Sequence, residues 1–181
     1  MTQAFTHVAV FGKPRAEGIR EPLLEIARLV ASAGGKVMFD LATAESVGSK
    51  DHPGHTVHAI GKQADVAIVL GGDGTMLGIA RELAPFRVPL IGINHGRLGF
   101  MTDIALDQMA EVLVPMLRGA YETDRRVLLD AEVRRQGRCA HQIIVRPGSR
   151  VPGEARLVVD GKLEVAEFLG ELAAGVGVRP L

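Results

Sequence analysis

Val66-Ala-Ile-Val-Leu-Gly-Gly-Asp-Gly-Thr-Met-Leu-Gly-Ile-Ala-Arg81 reads as a buried strand, a glycine-rich turn and a helix, with Asp73 inside the turn. A continuous apolar run of this length suits a strand covered on both faces of a parallel sheet. Glycines let the backbone come close to a ligand, and the helix that follows offers N–H donors to phosphate at its N-terminus. A carboxylate beside phosphates repels them unless it takes a proton, orients a hydroxyl or holds a metal. The combination therefore points to phosphoryl transfer rather than to nucleotide storage. Two common phosphate motifs fail on spacing. No Lys follows the turn as a Walker loop requires, and Gly72 and Gly74 fit a dinucleotide fingerprint whose third glycine would fall on Leu77.

Outward from this stretch, the pattern is that of an α/β protein. His7–Gly12 reads as a first strand, Pro22–Ala33 as a helix stopped by Gly34-Gly35, Val37–Leu41 as a second strand and Asp65–Leu70 as a third. Residues 42–64 carry no clear period. The helix after the turn is expected over Thr75–Leu83, a fourth strand over Pro89–Ile93, and another helix over Asp107–Leu117 with Asp107 as its N-cap. This order predicts a parallel sheet wrapped by helices. Beyond residues 119–124 the period changes to alternation. Val127–Arg134 with Cys139–Val145, and Arg156–Val165 around Asp160-Gly161, read as successive hairpins. The expected organisation is an α/β domain over 1–120 and a partial antiparallel β domain over 121–181, with Leu169–Leu181 as a frayed tail or cut-off element.

Composition narrows the setting. The chain has 181 residues, 47% hydrophobic and 23% charged, with a formal net charge of zero, which gives nucleic-acid binding little support. One cysteine, Cys139, forms no internal disulfide and suits a reducing compartment. No apolar run approaches the ~20 residues of a membrane span, and the N-terminus does not have the form of a secretion signal. A cytoplasmic protein without membrane or nucleic-acid partners is expected. The smaller features read as structural. His52, His55 and His58 flank Pro53 and Gly54 and suit a solvated loop rather than a metal site. Cys139 with His141 is not read as a catalytic pair, Arg125-Arg126 and Arg134-Arg135 are read as solvated faces, Met101, Met109 and Met116 as core filler, and Asp103 as a cap.

Two motifs in order, Gly71-Gly-Asp-Gly-Thr-Met-Leu-Gly-Ile-Ala-Arg81 and Ile91-Gly-Ile-Asn-His-Gly-Arg-Leu-Gly-Phe-Met-Thr-Asp-Ile104, resemble those of the ATP-dependent NAD kinase family. The first alone is shared with lipid and sphingoid kinases, so a lipid-type kinase is the rival enzyme reading. Asn94 with Gly96, Leu98, Gly99 and Phe100 narrows the resemblance to NAD kinases. The fold it implies is the NAD kinase and diacylglycerol kinase type.

The resemblance implies transfer of the γ-phosphoryl of ATP to the adenosine 2′-hydroxyl of NAD, giving NADP, with Mg²⁺ or another divalent cation held mostly through the ATP phosphates and no dedicated protein metal site. By similarity, Asp73 accepts or orients the hydroxyl proton. Gly71, Gly72, Gly74 and Thr75 line the phosphate path, and Asn94 and the Gly96–Phe100 loop close the crevice. The family's dinucleotide-holding Asn-Glu or Asn-Asp pair falls here on His141 and Gln142. Members run to about three hundred residues, as two domains of ordinary size would, so a truncated, non-catalytic homologue that binds nucleotide or a partner subunit is the alternative expectation. Homo-oligomers are expected.

Overall fold

The computed structural model describes residues 5–48, 52–96, 99, 101–128, 131–135, 138–143, 156–159, 162–165 and 173–180, with backbone alone from residue 124 onward. It divides into two compact units, Met1–Asp124 with Val176–Leu181, and Arg125–Gly175.

The first unit is a parallel sheet clothed by helices. In chain order it contains β1 (His7–Gly12), α1 (Arg20–Ser32), β2 (Lys36–Asp40), α2 (Leu41–Val47), β3 (Gly54–His55), α3 (Val57–Gln63), β4 (Val66–Gly71), α4 (Asp73–Leu83), β5 (Leu90–Asn94), β6 (Ile104–Ala105) and α5 (Met109–Leu117). The strands lie in the order β3-β2-β1-β4-β5, with β6 also paired to β5, and every one of these pairings is parallel. All six residues of β4 and all five of β5 are buried, which is why their sequences are continuously apolar rather than alternating.

Strand periodicity splits the core into two layers. Val8, Val10, Ile68, Leu70, Ile91 and Ile93 point to the face covered by α1 and α5, where they pack with Leu23, Ile26, Leu113 and Met116. Ala9, Phe11, Ala67 and Val69 point to the opposite face and meet Ile60 of α3 and Met76, Ala80 and Leu83 of α4. Buried Met109 and Met116 and the half-buried Met101 are core residues, as expected. The Asp65 carboxylate ties the starts of two central strands together: its Oδ2 accepts from Thr6 N–H at 2.7 Å and His7 N–H at 2.8 Å, while its own N–H donates to His7 O at 2.9 Å.

Several expectations are corrected. The span 42–64, which the sequence left unassigned, holds most of α2 and all of β3 and α3 among its described residues, each too short to show a period. Their signals are caps: Asp40 accepts from Ala42 and Thr43 N–H, Thr56 accepts from Ala59 N–H, and Gly48 ends α2 with φ 63°. Of the three histidines read as a solvated loop, His52 lies in a bend, while His55 belongs to β3 and the exposed His58 to α3; His52 and His58 stand edge-on to Phe39 at 5.0 Å and to Phe86 at 5.3 Å. Asp107 is not the N-cap of α5; it lies in a 3₁₀ turn, Leu106–Gln108, and Gln108 takes the cap position without a side-chain bond. Helix α4 starts at Asp73 rather than at Thr75.

The second unit contains two antiparallel ladders. β8 (Ala131–Arg135) pairs with β9 (Arg138–Ile143), and β10 (Arg156–Val159) with β11 (Lys162–Val165), preceded by β7 (Tyr121–Leu128). Asp160-Gly161, read as a turn in the sequence, lies outside the described residues; Val159 stands opposite Lys162 in the ladder. The tail is not frayed throughout: Ala173–Pro180 forms β12, whose Gly177 pairs in parallel with Leu90 of β5.

Candidate active site

β4 and β5 end level with one another. Gly71 stands opposite Asn94, and His95 N–H donates to Gly71 O at 3.1 Å. The chain leaves β4 through Gly72, whose extended backbone (φ −104°, ψ −177°) caps α4. The helical ladder begins with Met76 N–H donating to Gly72 O at 3.0 Å. The Gly74 and Thr75 N–H groups precede that first bond and so form the donor end of the helix. A methyl group on Gly71 would meet Thr75 Oγ1 at 2.7 Å, so this glycine is needed for close packing of its own turn. Gly72 and Gly74 differ: no atom lies within 4 Å of where their Cβ atoms would be, so the backbone there borders open space.

Asp73 is the first residue of α4 and is half-buried. Its Oδ1 accepts from Met101 N–H at 2.8 Å and from Thr102 Oγ1 at 3.4 Å. The same Thr102 hydroxyl accepts from Asn94 Nδ2 at 3.0 Å. Asn94 is 3% exposed and Thr102 0%. The three side chains form one line from the end of β5 to the start of α4. Gly99 lies against this line: a Cβ on it would run into Asp73 Oδ1 and would stand 2.6 Å from Thr102 Oγ1. Gly96 is exposed with φ 135°, a value that favours glycine, and has open space around it. Asn94, Gly96, Ala105, Leu106 and Asp107 line an open cleft of about 440 Å³ at the carboxyl ends of β5 and β6.

Of the residues singled out in the sequence, Gly71, Gly72, Asp73, Gly74, Thr75, Asn94 and Gly99 gather at this end of the sheet, with Gly96 on the rim of the cleft. Leu98 and Phe100 lie outside the described residues. His141 and Gln142 belong to β9 in the second unit, opposite Val133 and Glu132. Sequence reasoning missed Thr102, Met101 N–H and Gly92. The signal for the last was present: a glycine inside an apolar strand marks a close backbone approach. A Cβ on Gly92 would stand 2.6 Å from Met101 O and 3.0 Å from Thr102 Cα.

A parallel sheet with helices on both faces and a crevice beyond the strands' carboxyl ends defines the open α/β proteins that bind their ligands at that edge. Comparison with known proteins narrows the class. Residues 8–121 match the model of the ATP-NAD kinase N-terminal domain. The chain is 46% identical over 165 residues to an NAD kinase of Burkholderia pseudomallei and 45% identical over 169 residues to one of Paraburkholderia phytofirmans. These alignments cover 87% and 90% of this chain but 55% and 56% of the relatives, so the chain spans little more than half their length. Among solved structures, a yeast NADH kinase complexed with NADH matches with a TM-score of 0.63 at 17% identity, over 90% of this chain and 55% of that one. The chain belongs to the NAD kinase family.

Proposed function

We propose that this chain carries the α/β half of an NAD kinase, in which the γ-phosphoryl of ATP passes to the 2′-hydroxyl of the adenosine ribose of NAD. The observation that supports it most is the placement of Asp73: a carboxylate at the start of α4, bound through Oδ1 to Met101 and Thr102 and bordered by the open backbone of Gly72 and Gly74. In this reading the 2′-oxygen forms a bond to the γ-phosphorus, the bond from that phosphorus to the β,γ-bridging oxygen breaks, and ADP leaves. Asp73 orients the 2′-hydroxyl and accepts its proton as the new bond forms. The transferred group needs placement and charge neutralisation more than covalent help. Gly72 and Gly74 let phosphate oxygens approach the backbone donors of the helix start. Asn94 and Gly96 present the cleft's polar wall to the dinucleotide.

Among the described residues no three His, Cys, Asp or Glu side chains converge to hold a metal ion. A single carboxylate, Asp73, beside the open backbone of Gly72 and Gly74 fits a Mg²⁺ ion carried mainly by phosphates and water. Such an ion, when bound, would supply charge neutralisation to the phosphates. His141 and Gln142 are assigned to holding the dinucleotide. A cytoplasmic setting and assembly into a homo-oligomer, both drawn from the sequence reading, belong to the same proposal. No described helix is long and apolar enough to cross a membrane.

The test is NADP formation by protein carrying this chain, given ATP, Mg²⁺ and NAD. The product is assayed with an NADP-specific dehydrogenase, and the phosphate position by ³¹P NMR. Phosphate on the 2′-oxygen is expected. ATP and NAD binding without product would overturn the kinase reading.

A further inference from the structure

We propose that Thr102 is a positioning residue for Asp73, relaying the buried Asn94 amide to the carboxylate and fixing its side-chain rotamer; the inference deepens the kinase reading and rests on it. Proton directionality carries the argument. An amide NH₂ can only donate, so the Asn94 Nδ2 bond at 3.0 Å occupies Thr102 Oγ1 as an acceptor. The hydroxyl's own proton is then directed to its other polar neighbour, Asp73 Oδ1 at 3.4 Å. Met101 N–H gives the same oxygen a shorter bond at 2.8 Å, so two donors from consecutive residues converge on one carboxylate oxygen. Two converging donors restrict the carboxylate in direction as well as in distance, which a single donor does not.

The backbone that carries both donors is itself held in place. Gly92 lets residues 101 and 102 settle onto β5, where any side chain would meet Met101 O at 2.6 Å. Gly99 leaves room for the carboxylate and the hydroxyl on the other side. Thr102 is 0% exposed, so solvent does not compete for its hydroxyl. A β-branched side chain is also stiff about χ1, which fixes the hydroxyl's position at little entropic cost. Linked hydrogen bonds of this kind strengthen one another away from water.

The experiment compares Thr102→Val, Thr102→Ala and Thr102→Ser with the parent protein by two readouts. The first, independent of activity, is the set of three-bond couplings that report χ1 of Asp73 in isotope-labelled protein. A single rotamer is expected in the parent and in Thr102→Ser, and averaged couplings in Thr102→Val and Thr102→Ala. The second is steady-state NADP formation. In the variants without the hydroxyl, kcat should fall about tenfold, the loss of one hydrogen bond to a charged group, with KM for ATP and NAD within about twofold and kcat restored by Ser. Unchanged couplings in both Val and Ala overturn the inference, as does loss of the folded state in both, which would make the hydroxyl a structural group. A parent protein without turnover refutes the kinase reading, while the couplings still decide the role of Thr102.

Discussion

β1 and β4 are neighbours in the sheet, run parallel, and both end in glycine, yet the two ends are built for opposite purposes. At β1, Gly12 is closed in. Its N–H donates to the buried Thr43 hydroxyl at 2.8 Å, and a Cβ on it would meet Leu23 Cδ1 at 2.9 Å. At β4, Gly71 is followed by Gly72 and Gly74, whose missing side chains face open space, and by a carboxylate at the start of a helix. In both cases the terminal glycine admits a neighbouring side chain, Leu23 at Gly12 and Thr75 at Gly71; only at β4 do further glycines, Gly72 and Gly74, follow and leave backbone donors accessible. Apolar strand followed by glycine is therefore an ambiguous signal by itself. What separates the two ends is the chemistry of the next few residues and whether the fold fills the gap.

The comparison can be broken most decisively at Asp73. Asp73→Asn keeps an oxygen for the Met101 N–H but cannot take a proton, so NADP formation should drop by about a thousandfold, with the melting temperature nearly unchanged. Retained turnover would show that the open end does not depend on its carboxylate. The next effect is on stability. Gly92→Ala sets a methyl group against the Met101 carbonyl, a backbone atom that cannot rotate away, and should cost about 3 kcal/mol in urea unfolding. A cost below about 1 kcal/mol would mean that the 101–102 segment is not seated as tightly as its contacts indicate. At the closed end, Thr43→Val leaves the buried Gly12 N–H without its acceptor and should cost about 1–2 kcal/mol. A neutral result would remove the distinction drawn at β1. The smallest effect is expected at Gly72→Ala, which meets no atom in an allowed backbone conformation. Stability should change by less than about 0.5 kcal/mol, while KM for ATP rises because the added methyl group occupies the space assigned to phosphate. A stability loss matching that of Gly92→Ala would show the turn to be packed rather than open.

The open end was the most legible part of the chain. A long buried strand, three closely spaced glycines and a carboxylate are all local features, and the reading of Gly71–Thr75 needed no tertiary information. Asn94 was legible only through the family resemblance; the apolar run reads as ending at Ile93 with Asn94 in the loop beyond, whereas β5 extends through Asn94. Thr102 was not, because its role depends on a crossing of two segments that sequence spacing does not encode. Residues 42–64 were hidden for a different reason: α2 and α3 have seven residues each and no apolar stripe, and only their caps mark them. The start of α4 was read two residues late because the glycines and Asp73 favour turns, whereas packing of Met76 and Ala80 on the sheet extends the helix back over them. The β12 strand escaped notice because Ala, Gly and Val in a short polar-ended segment carry no period.

The two hydrogen bonds that the Asp65 carboxylate accepts from Thr6 and His7 N–H join positions 59 and 58 residues apart. A one-residue slip between β1 and β4 would turn Val8 and Val10 toward the wrong helix layer, and this carboxylate penalises that slip at the very mouth of the pairing. It also sets a kinetic demand. The two strands that organise the sheet meet only after a long loop has closed, so the chain must spend its search entropy before any of the central pairing is rewarded. Asp65 is placed where that reward begins, which makes it a candidate timer of folding rather than a contributor to chemistry. Asp65→Ala should then slow refolding more than it speeds unfolding.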